Sequence, residues 1–330
     1  MKSETNAGRF LSALRRNKVV NTGFVFLLLV MVAIAAAPNF LTNYNLQSVV
    51  RDLAFVGIIA IGQSCLLLLG ELDLSVGSIA ALCGVVGGFM MVFFDINPYL
   101  SVVLCVLLGG VLGFINGTII TRLNLNAMVV TIGMQGVYGG INLVLTKGKA
   151  VTKIPEGIFF LGRGNWFDIP MPFVFTILVM IVMVFVMKKT TFGRYVYAIG
   201  NNVQAAAILG IKVKRVRTAV YMIVGMLSAL AGMLMVARLG SSQPTIGAQW
   251  PMNSIAASVI GGISLTGGIG NPAGALIGAA IISVIQNIIV LLGVSSYWQT
   301  VVSGVVVVVA ISIGSVSDMI RTRKIRKSKV

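Results

Sequence analysis

The sequence is poor in the side chains on which most catalytic and metal sites depend. Histidine is absent from its 330 residues, which removes the commonest general base and metal ligand. The three cysteines, Cys65, Cys83 and Cys105, lie inside apolar runs without paired spacing, so we expect neither a disulfide nor a metal site. The sequence also has no Gly-x-x-x-x-Gly-Lys-Ser/Thr phosphate loop and no His-Glu-x-x-His motif. We therefore expect a protein that is not an enzyme and binds no cofactor of its own.

Charged residues are scarce as well, and this scarcity sets the class of protein. Only 10% of the residues are charged and 57% are hydrophobic, a balance that soluble domains of this length do not show. The 38 glycines suit closely packed transmembrane helices, because small residues let two backbones approach each other. The composition therefore predicts an all-α polytopic membrane protein.

The charges that are present are mostly positive, and they are grouped. Of 25 Lys and Arg, five lie in residues 2–18, seven in 188–217 and six in 321–329. Each group flanks an apolar segment, which is the positive-inside pattern of membrane proteins. The net charge of +17 therefore indicates orientation in the membrane and attraction to anionic lipid, rather than binding of nucleic acid.

The apolar segments predict about ten transmembrane helices with both termini in the cytoplasm. Ala35–Ala37 faintly resembles a signal-peptide cleavage site, but the long apolar run before it favours a retained first helix. The expected spans are Val19–Ala37, Leu53–Leu69, Val76–Phe94, Pro98–Thr121, Met128–Leu145, Pro172–Met187, Thr218–Val236, a short one near Asn253–Ile263, Gly274–Leu292 and Trp298–Val316.

This topology divides the chain into five parts. They are a cytoplasmic basic arm, a first group of helices, a cytoplasmic coupling loop, a second group of helices and a basic cytoplasmic tail, at residues 1–18, 19–187, 188–217, 218–316 and 317–330. The loop near 146–171 would face outward. It is either an ordinary solvated loop or a surface that meets a soluble partner or solute.

The polar interlude 188–217 predicts a short helix outside the membrane. Asn202 can accept hydrogen bonds from the first turn, and the alanines that follow Gln204 favour a helix. Gly210 can adopt the left-handed conformation that ends a helix. Because two turns of helix are marginal alone in water, we expect a partner to hold this helix on the cytoplasmic side.

Two glycine-rich breaks interrupt the apolar pattern. The first, Gly70–Gly77, holds Glu71 and Asp73 between hydrophobic segments, where ionised groups are costly and tend to be functional. A structural interpretation is also open, in which Asp73 or Ser75 caps the helix that begins at Val76. The two interpretations are compatible.

The second break, Gly261–Pro272, repeats the pattern Gly-x-Leu/Ile-x-Leu-Ser/Thr-x-Gly of the first. Paired glycine interruptions in the two halves of a membrane protein often mark a transport pathway. The expected topology puts both breaks at the cytoplasmic end, which does not fit a simple inverted repeat. The glycines expected to have structural roles are Gly70, Gly77, Gly261, Gly262, Gly267 and Gly268.

Polar side chains inside the spans should face the interior of the bundle. There they either join helix to helix or line a path for a polar solute. Together with the acidic break they form the candidate translocation path, which consists of Gln63, Glu71, Asp73, Ser75, Asn126, Thr131, Asn142, Asn253, Gln286 and Asn287.

Taken in order, these segments resemble the permease subunits of ribose-type ABC sugar importers over nearly the full length of the chain. Gly70–Gly77 is similar to the family's Gly-x-x-Asp-Leu-Ser-Val-Gly stretch, and Asn126–Gly133 to its Pro/Asn-Ala/Ser-Phe-Ile-x-Thr-Leu-Gly stretch. Thr190–Gly200, with Thr190 or Thr191 as the first threonine, resembles the lead-in Thr-x-x-Gly-Arg-x-x-x-Ala-x-Gly. Gln204–Gly210 resembles the Glu-Ala-Ala-x-x-x-Gly loop that docks on the ATPase, and Gly261–Gly270 the late glycine-rich run.

The resemblance implies a homodimer of permeases around a central pathway in the bacterial cytoplasmic membrane. It also implies a cytoplasmic ATPase with two nucleotide-binding halves, which binds ATP and Mg²⁺, and an external protein that delivers ribose or a similar monosaccharide and largely sets specificity. ATP binding would move the short helix, and the adjoining spans would follow as rigid bodies. The residues implied to couple to the ATPase are Arg194, Asn202, Gln204, Ala205, Ala206 and Gly210.

Two positions depart from the pattern of the family. Gln204 replaces the acid of the docking loop, so a charge pair with the ATPase is not implied there. Glu71 adds a second carboxylate beside Asp73, where many relatives carry an apolar residue, and this would alter the path or its choice of solute.

Two other classes of function stay open at this point. In an ion-coupled secondary transporter, Asp73 or Glu71 would bind a proton or a sodium ion. The presented helix argues against that class, because a symporter that works alone has no use for it. A membrane enzyme is the third class, and the lack of a nucleophile–base set argues against it.

Overall fold

The computed structural model describes residues 18–295 and nine positions beyond them, 298, 300–302, 304, 305, 308, 309 and 312, with side chains from residue 22 onward. Nearly all of its regular structure is helical. The helices are α1 (Lys18–Ala36), α2 (Asn43–Leu68), α3 (Val76–Val92), α4 (Pro98–Leu123), α5 (Ala127–Thr146), α6 (Phe159–Arg163), α7 (Met171–Lys189), α8 (Thr191–Asn201), α9 (Val203–Ile208), α10 (Val213–Leu239), α11 (Trp250–Ile260) and α12 (Pro272–Leu291). A 3₁₀ turn (Glu156–Ile158) precedes α6, and two short strands, β1 (Asn165–Trp166) and β2 (Ile169–Pro170), follow it.

Six of the described helices, α2, α4, α5, α7, α10 and α12, are long and apolar enough to cross a bilayer. Helix α3 is apolar but has 17 residues, the part of α1 with described side chains, Thr22–Ala36, is also apolar and short, and α11 has only 11 residues. Helices occupy nine of the ten positions expected for spans, and the tenth, Trp298–Val316, lies mostly outside the described residues. The structure confirms an all-α polytopic membrane protein.

Helix α2 lies at the centre of the bundle. In an apolar stretch of 18 residues within α2, 83% of the residues are buried inside the protein. The corresponding share is 22% for α5 and 28% for α7. Its neighbours are α7, α10, α11 and α12. Any path along the middle of the bundle therefore runs beside α2.

Helices α4 and α10 pack closely because glycines face each other. A β-carbon at Gly109 would collide with the carbonyl of Gly225, and one at Gly225 would collide with the carbonyl of Gly109. Such backbone contact is how small residues hold helices together in a membrane. Helix α10 is therefore fixed to α4 along its length.

The segment between α5 and α7 folds onto the end of α10. Strands β1 and β2 form a hairpin, and Val151 pairs with Ser242 in an isolated bridge. The Nε of Arg163 donates a hydrogen bond to the carbonyl of Arg238 at 2.7 Å. The predicted loop 146–171 is therefore structured and packed against the chain that follows α10.

Candidate translocation and coupling site

Two short helices, α8 and α9, lie between the long helices α7 and α10. Asn202 caps α9, since its Oδ1 accepts a hydrogen bond from Ala205 N at 2.9 Å. After the helix ends, Gly210 has a φ of +80° and its N–H donates to the carbonyl of Ala207 at 3.0 Å. The predicted cap and the predicted left-handed glycine are both confirmed.

Helix α9 leaves most of its surface uncovered. Ala206 is 2% exposed, whereas Ile208 and Leu209 are 86% and 78% exposed. The other residues implied to couple to an ATPase are all exposed, namely Arg194, Asn202, Gln204, Ala205 and Gly210. Adjacent exposed Ile and Leu beside a two-turn helix form a surface that favours a partner.

The two glycine-rich breaks meet at one end of the bundle, beside α8. The N–H of Gly268 donates to the carbonyl of Leu68 at 2.8 Å, which joins the end of α2 to the second break. Gly200 of α8 lies against both, because a β-carbon there would collide with Leu68 O and Gly268 N. We name Leu68, Gly200 and Gly268 the glycine junction. Both breaks therefore lie at the same end, as the topology predicted.

The six glycines singled out in the sequence hold special backbone positions. Four of them have positive φ, namely Gly70, Gly262, Gly267 and Gly268. The other two, Gly77 and Gly261, lie so close to a neighbouring carbonyl that a β-carbon would collide with it.

Glu71 forms an ion pair with Arg217 next to the glycine junction. The Glu71 side chain is 5% exposed and the Arg217 side chain is 27% exposed, so the pair is largely withdrawn from water. One turn further along α10, the hydroxyl of Tyr221 donates to the carbonyl of Leu72 at 3.4 Å. The start of α10 therefore holds the residues that follow α2 through two neighbouring contacts.

Asp73 is completely buried and begins a chain of hydrogen bonds. Its Oδ1 accepts from Ser75 N at 2.7 Å and from Ser75 Oγ at 2.6 Å. Ser75 Oγ in turn accepts from Asn116 Nδ2 at 2.8 Å, and Asn116 Oδ1 accepts from the hydroxyl of Tyr138 at 2.9 Å. This chain ties the start of α3 to α4 and α5.

The capping interpretation of this segment is wrong. Ser75 occupies the N-cap position of α3, but its side chain makes no cap hydrogen bond. Its backbone is helical, with φ −85° and ψ −6°, rather than extended as in a capping residue, and its hydroxyl oxygen accepts from Asn116 Nδ2 instead. Asp73 accepts from the N–H and the hydroxyl of Ser75 rather than from the first turn. Asp73 and Ser75 are bonded to each other instead.

Three other residues of the predicted path have partners within the protein. Asn287 of α12 and Asn45 of α2 exchange two side-chain hydrogen bonds of 2.8 and 3.0 Å, which join the two helices. Asn126 caps α5 by accepting from Met128 N at 2.9 Å, and it is exposed. Thr131 is buried, and its hydroxyl donates to the carbonyl of Met128 at 3.3 Å.

Gln63 and Asn142 differ, because they have buried side-chain atoms without partners. Gln63 of α2 is 0% exposed, and neither Oε1 nor Nε2 has a hydrogen-bond partner among the described residues. Asn142 Nδ2 donates to the carbonyl of Pro244 at 3.1 Å, but its Oδ1 has no partner in the described part of the chain. Such groups are costly to bury, so they are candidates for contact with solute or water in another conformation.

A cavity of about 320 Å³, which we name the large cavity, lies between α2, α11 and α12. It brings together Asn253 and Gln286, two residues that the sequence assigned to the path. Trp250 and Phe55 also border it, and their rings are stacked with centroids 6.2 Å apart and planes inclined by only 5°. Polar and apolar surfaces therefore meet in one space beside the central helix.

An ion pair stands at the wall of this cavity. Asp52, which lines it, accepts a hydrogen bond from Arg238 Nη1 at 2.5 Å. The guanidinium of Arg238 also lies over the ring of Phe55, 5.4 Å from the centroid. Within the part of the chain that the structure describes, no group of three or more Cys, Asp or Glu is placed to hold a metal ion.

A second space of about 130 Å³, the small cavity, lies between α3, α5 and the segment that joins α10 to α11. It is lined by Asn142 and Gln135 from α5 and by Ser78 from α3. Ala248 borders both cavities, so the irregular chain before α11 separates them.

The sequence did not reveal the roles of Trp250, Arg217 and Tyr138. Trp250 and Pro251 come at the start of a short apolar segment. An aromatic residue at the start of a short helix is the one feature of the sequence that could have indicated a role for Trp250. In the sequence, Arg217 is only the last of the basic residues in the block 188–217. Tyr138 lies in an otherwise ordinary apolar helix, and nothing in its local sequence points to Asn116.

Comparison with known proteins identifies relatives along most of the chain. A family model described as branched-chain amino acid transport system / permease component matches residues 45–311. The ribose import permease protein RbsC of Bacillus subtilis is 41% identical over 87% of this chain and 89% of its own length. RbsC of Escherichia coli K12 is 36% identical over 86% of this chain and 90% of its own length. The L-arabinose transport system permease protein AraH of the same strain is 33% identical over 87% of both chains. No solved structure is a significant match.

Proposed function

This chain belongs to the family of branched-chain amino acid transport system permease components, and we propose that it is the permease subunit of an ABC importer for a monosaccharide. Relatives named as ribose and L-arabinose permeases share at least 33% of their residues with it over most of both chains. A pentose such as ribose is therefore the proposed solute. With six helices long enough to span a bilayer, the chain is a multi-pass protein of the cytoplasmic membrane.

The importer has three other components in this proposal. A cytoplasmic ATPase with two nucleotide-binding domains binds ATP and Mg²⁺ and docks on α9. An external binding protein delivers the sugar, and a second copy of this chain completes the pathway. The exposed Ile208 and Leu209 support the ATPase contact, because they offer apolar surface beside a helix too short to stand alone.

The finer topology is also part of the proposal. Ten crossings place both termini, the loop 188–217 and the tail 317–330 in the cytoplasm. The hairpin β1–β2 and the rest of 146–171 then face outward, where the binding protein docks. The three blocks of Lys and Arg support this orientation, since all of them fall on the cytoplasmic side.

One observation supports the coupling mechanism above all others: α9 is attached on both sides to the same short segment. Before α9, Gly200 of α8 lies against the carbonyl of Leu68. After α9, Arg217 and Tyr221 of α10 hold Glu71 and Leu72. A displacement of α9 therefore reaches residues 68–72 from two directions.

From this segment the displacement continues into the bundle. Asp73 follows directly, and its hydrogen-bond chain through Ser75 and Asn116 connects α3, α4 and α5. Closure of the ATPase on ATP would move α9, and α3 would then shift relative to α2. Movement of α3 changes the walls beside the small cavity, which Gly77 and Ser78 line. This is a two-state change driven by binding at a distant site, which is the requirement for coupled transport.

The experiment that tests the function is gentle purification followed by reconstitution. The full chain is purified in mild detergent from its own host, and the attached proteins are identified by mass spectrometry. We expect an ATPase with two nucleotide-binding domains, two copies of the permease, and ATP hydrolysis that rises when sugar-loaded binding protein is added. A permease that repeatedly purifies without an ATPase would contradict the proposal.

Ion-coupled transport by Asp73 or Glu71 is the competing function, and it has less support. Glu71 is paired with Arg217, and Oδ1 of Asp73 accepts two hydrogen bonds from Ser75. The guanidinium of Arg217 already neutralises the charge of Glu71 that a proton or sodium ion would balance. Asp73 has no cation opposite it among the described residues and its Oδ2 accepts no hydrogen bond there, so Asp73 is the carboxylate that this function would use. Uptake that an uncoupler abolishes and that survives ATP depletion would favour the ion-coupled function.

A further inference from the structure

We propose that the large cavity is a solute-binding site of the permease itself, which takes a neutral, polyhydroxylated ring and recognises it through Asn253. The inference rests on the proposed function and deepens it. The family resemblance implies that the external binding protein largely determines which sugar is imported. The geometry of the cavity adds a second point of selection inside the membrane.

The first argument is the interrupted helix at the cavity. Helix α11 has 11 residues and so rises about 16 Å, roughly half of the ~30 Å hydrocarbon core. Trp250 and Asn253 in its first turn line the cavity, and the irregular residues 240–249 precede them. Non-helical backbone at membrane depth is tolerated where it is buried in protein or lines a cavity, and broken helices form the solute sites of many transporters.

Asn253 borders the cavity, and the residue as a whole is 4% exposed. Its side-chain amide makes no hydrogen bond to any residue that the structure describes, so its donors and its acceptor are available to a molecule in the cavity. An amide offers both donors and an acceptor, which is the combination that a hydroxyl group on a ring requires.

Around that amide, Thr245, Gln249 and Gln286 add further polar groups, while Phe55 and Trp250 add apolar surface. Polar groups that fix orientation are what distinguish a specific small-molecule site, and this lining has as many polar as apolar residues. A sugar ring presents the matching surfaces, since its C–H faces are apolar and its edges carry hydroxyl groups.

Charge and size narrow the class of solute. Asp52 carries the one charge among the described lining residues, and Arg238 neutralises it at 2.5 Å. A charged solute would therefore find no free countercharge in the described lining. The volume of about 320 Å³ lies at the lower end of the ~300–1,000 Å³ range of small-molecule sites, which suits a single ring rather than an oligosaccharide.

The binding test uses the full chain in lipid nanodiscs with radiolabelled D-ribose and L-arabinose as probes. We expect saturable binding of at least one sugar, which Asn253→Ala weakens by about three- to tenfold through the loss of a hydrogen bond. Ser228→Ala is the control, because Ser228 is fully buried in α10, lines neither cavity and donates its hydroxyl hydrogen bond within its own helix, to the carbonyl of Val224 at 2.8 Å. Absence of saturable binding, or binding that Ser228→Ala weakens as much as Asn253→Ala does, would overturn the assignment.

A stability measurement separates recognition from a structural role. Because Asn253 makes no hydrogen bond to a described residue, Asn253→Leu should remove sugar binding without lowering the melting temperature of the sugar-free protein. A lower melting temperature in Asn253→Leu would overturn the inference, because it would mean that the amide stabilises the fold.

Transport by the assembled importer separates this inference from the proposed function. We expect Asn253→Ala to keep the ATPase activity that loaded binding protein stimulates, and to move several-fold less sugar per ATP. A wild-type importer without ATP-dependent uptake contradicts the proposed function. Normal wild-type uptake, together with an unchanged amount of sugar per ATP in Asn253→Ala, contradicts only the site in the large cavity.

Discussion

Glu71 and Arg217 form a largely buried ion pair that joins the residues after α2 to the start of α10. A second pair, Asp52 with Arg238 at 2.5 Å, joins the same two helices further along the bundle. Helices α2 and α10 are antiparallel, so the first pair lies after the end of α2 and near the start of α10, while the second lies in the first half of α2 and near the end of α10. The two helices are therefore linked at two separate levels, and the Asp52–Arg238 pair is the weaker link because it is more exposed to water.

The first prediction concerns the pair next to the glycine junction. Removing the carboxylate in Glu71→Ala leaves Arg217 without its partner. We expect a loss of about 1–3 kcal/mol, below the usual value for a fully buried pair because Arg217 is partly exposed. Stability can be followed with a thiol-reactive dye, since Cys65, Cys83 and Cys105 are free and buried and react only on unfolding.

The charge-swapped double variant Glu71→Arg with Arg217→Glu is the control for this pair. If attraction between the two side chains matters for coupling, the double variant should recover part of the stability and sugar uptake that each single variant loses. Losses that simply add in the double variant would mean that the two residues act independently.

The second prediction concerns the end of α9. Gly210 has a φ of +80° with open space around it, so Gly210→Val meets backbone strain rather than a collision. We expect uptake to be abolished while membrane insertion stays intact, because the strained turn would reposition α9 against the ATPase. Gly210→Asn should keep most of the uptake, since Asn tolerates the left-handed conformation.

Gly293→Val provides a matched control for the second prediction. Gly293 also has positive φ, +70°, and open space around it, but it lies after α12 and far from α9 in the chain. We expect this variant to retain uptake. Equal loss in both variants would attribute the effect to general destabilisation.

The third prediction concerns the apolar surface beside α9. Ile208→Asp and Leu209→Asp place a carboxylate at positions that are 86% and 78% exposed, so the fold of the permease should not change. If these side chains are buried against the ATPase, the amount of ATPase that co-purifies should fall by about tenfold or more. Phe167→Asp, at a position 85% exposed in the hairpin turn, should leave it unchanged.

The fourth prediction concerns Gln63, the fully buried amide without a described partner. Replacing it in Gln63→Met removes two unsatisfied groups at similar volume, which should stabilise this conformation by about 1–3 kcal/mol. Uptake should fall at the same time if another conformation of the cycle uses the amide. A destabilised variant with normal uptake would show that Gln63 supports the fold instead.

Local chemistry explains what the sequence could predict. The cap at Asn202 and the left-handed turn at Gly210 depend on residues within one short segment, so their pattern was sufficient. The positions of the long helices followed from apolar length. The capping interpretation of Ser75 failed because its backbone is helical and its hydroxyl oxygen accepts from Asn116, 41 residues away in the chain.

Contacts between distant segments could not be predicted in the same way. Glu71 meets Arg217 and Trp250 stacks on Phe55 only because α2 is the central helix and α10 and α11 pack beside it. A carboxylate in an apolar stretch indicates a function or a partner, but the sequence does not indicate which cation will lie opposite. The large cavity likewise depends on how α2, α11 and α12 diverge.

The glycine junction affects how directly a displacement of α9 reaches the end of α2. At Leu68, Gly200 and Gly268 the three backbones touch directly, with no side chain between them. Ordinary helix contacts can absorb a small displacement by changing rotamers, but this contact has no side-chain rotamer that could yield, so only backbone torsions can absorb the movement. The linkage from α8 to the end of α2 therefore passes on a displacement of α9 more directly than a contact between side chains would.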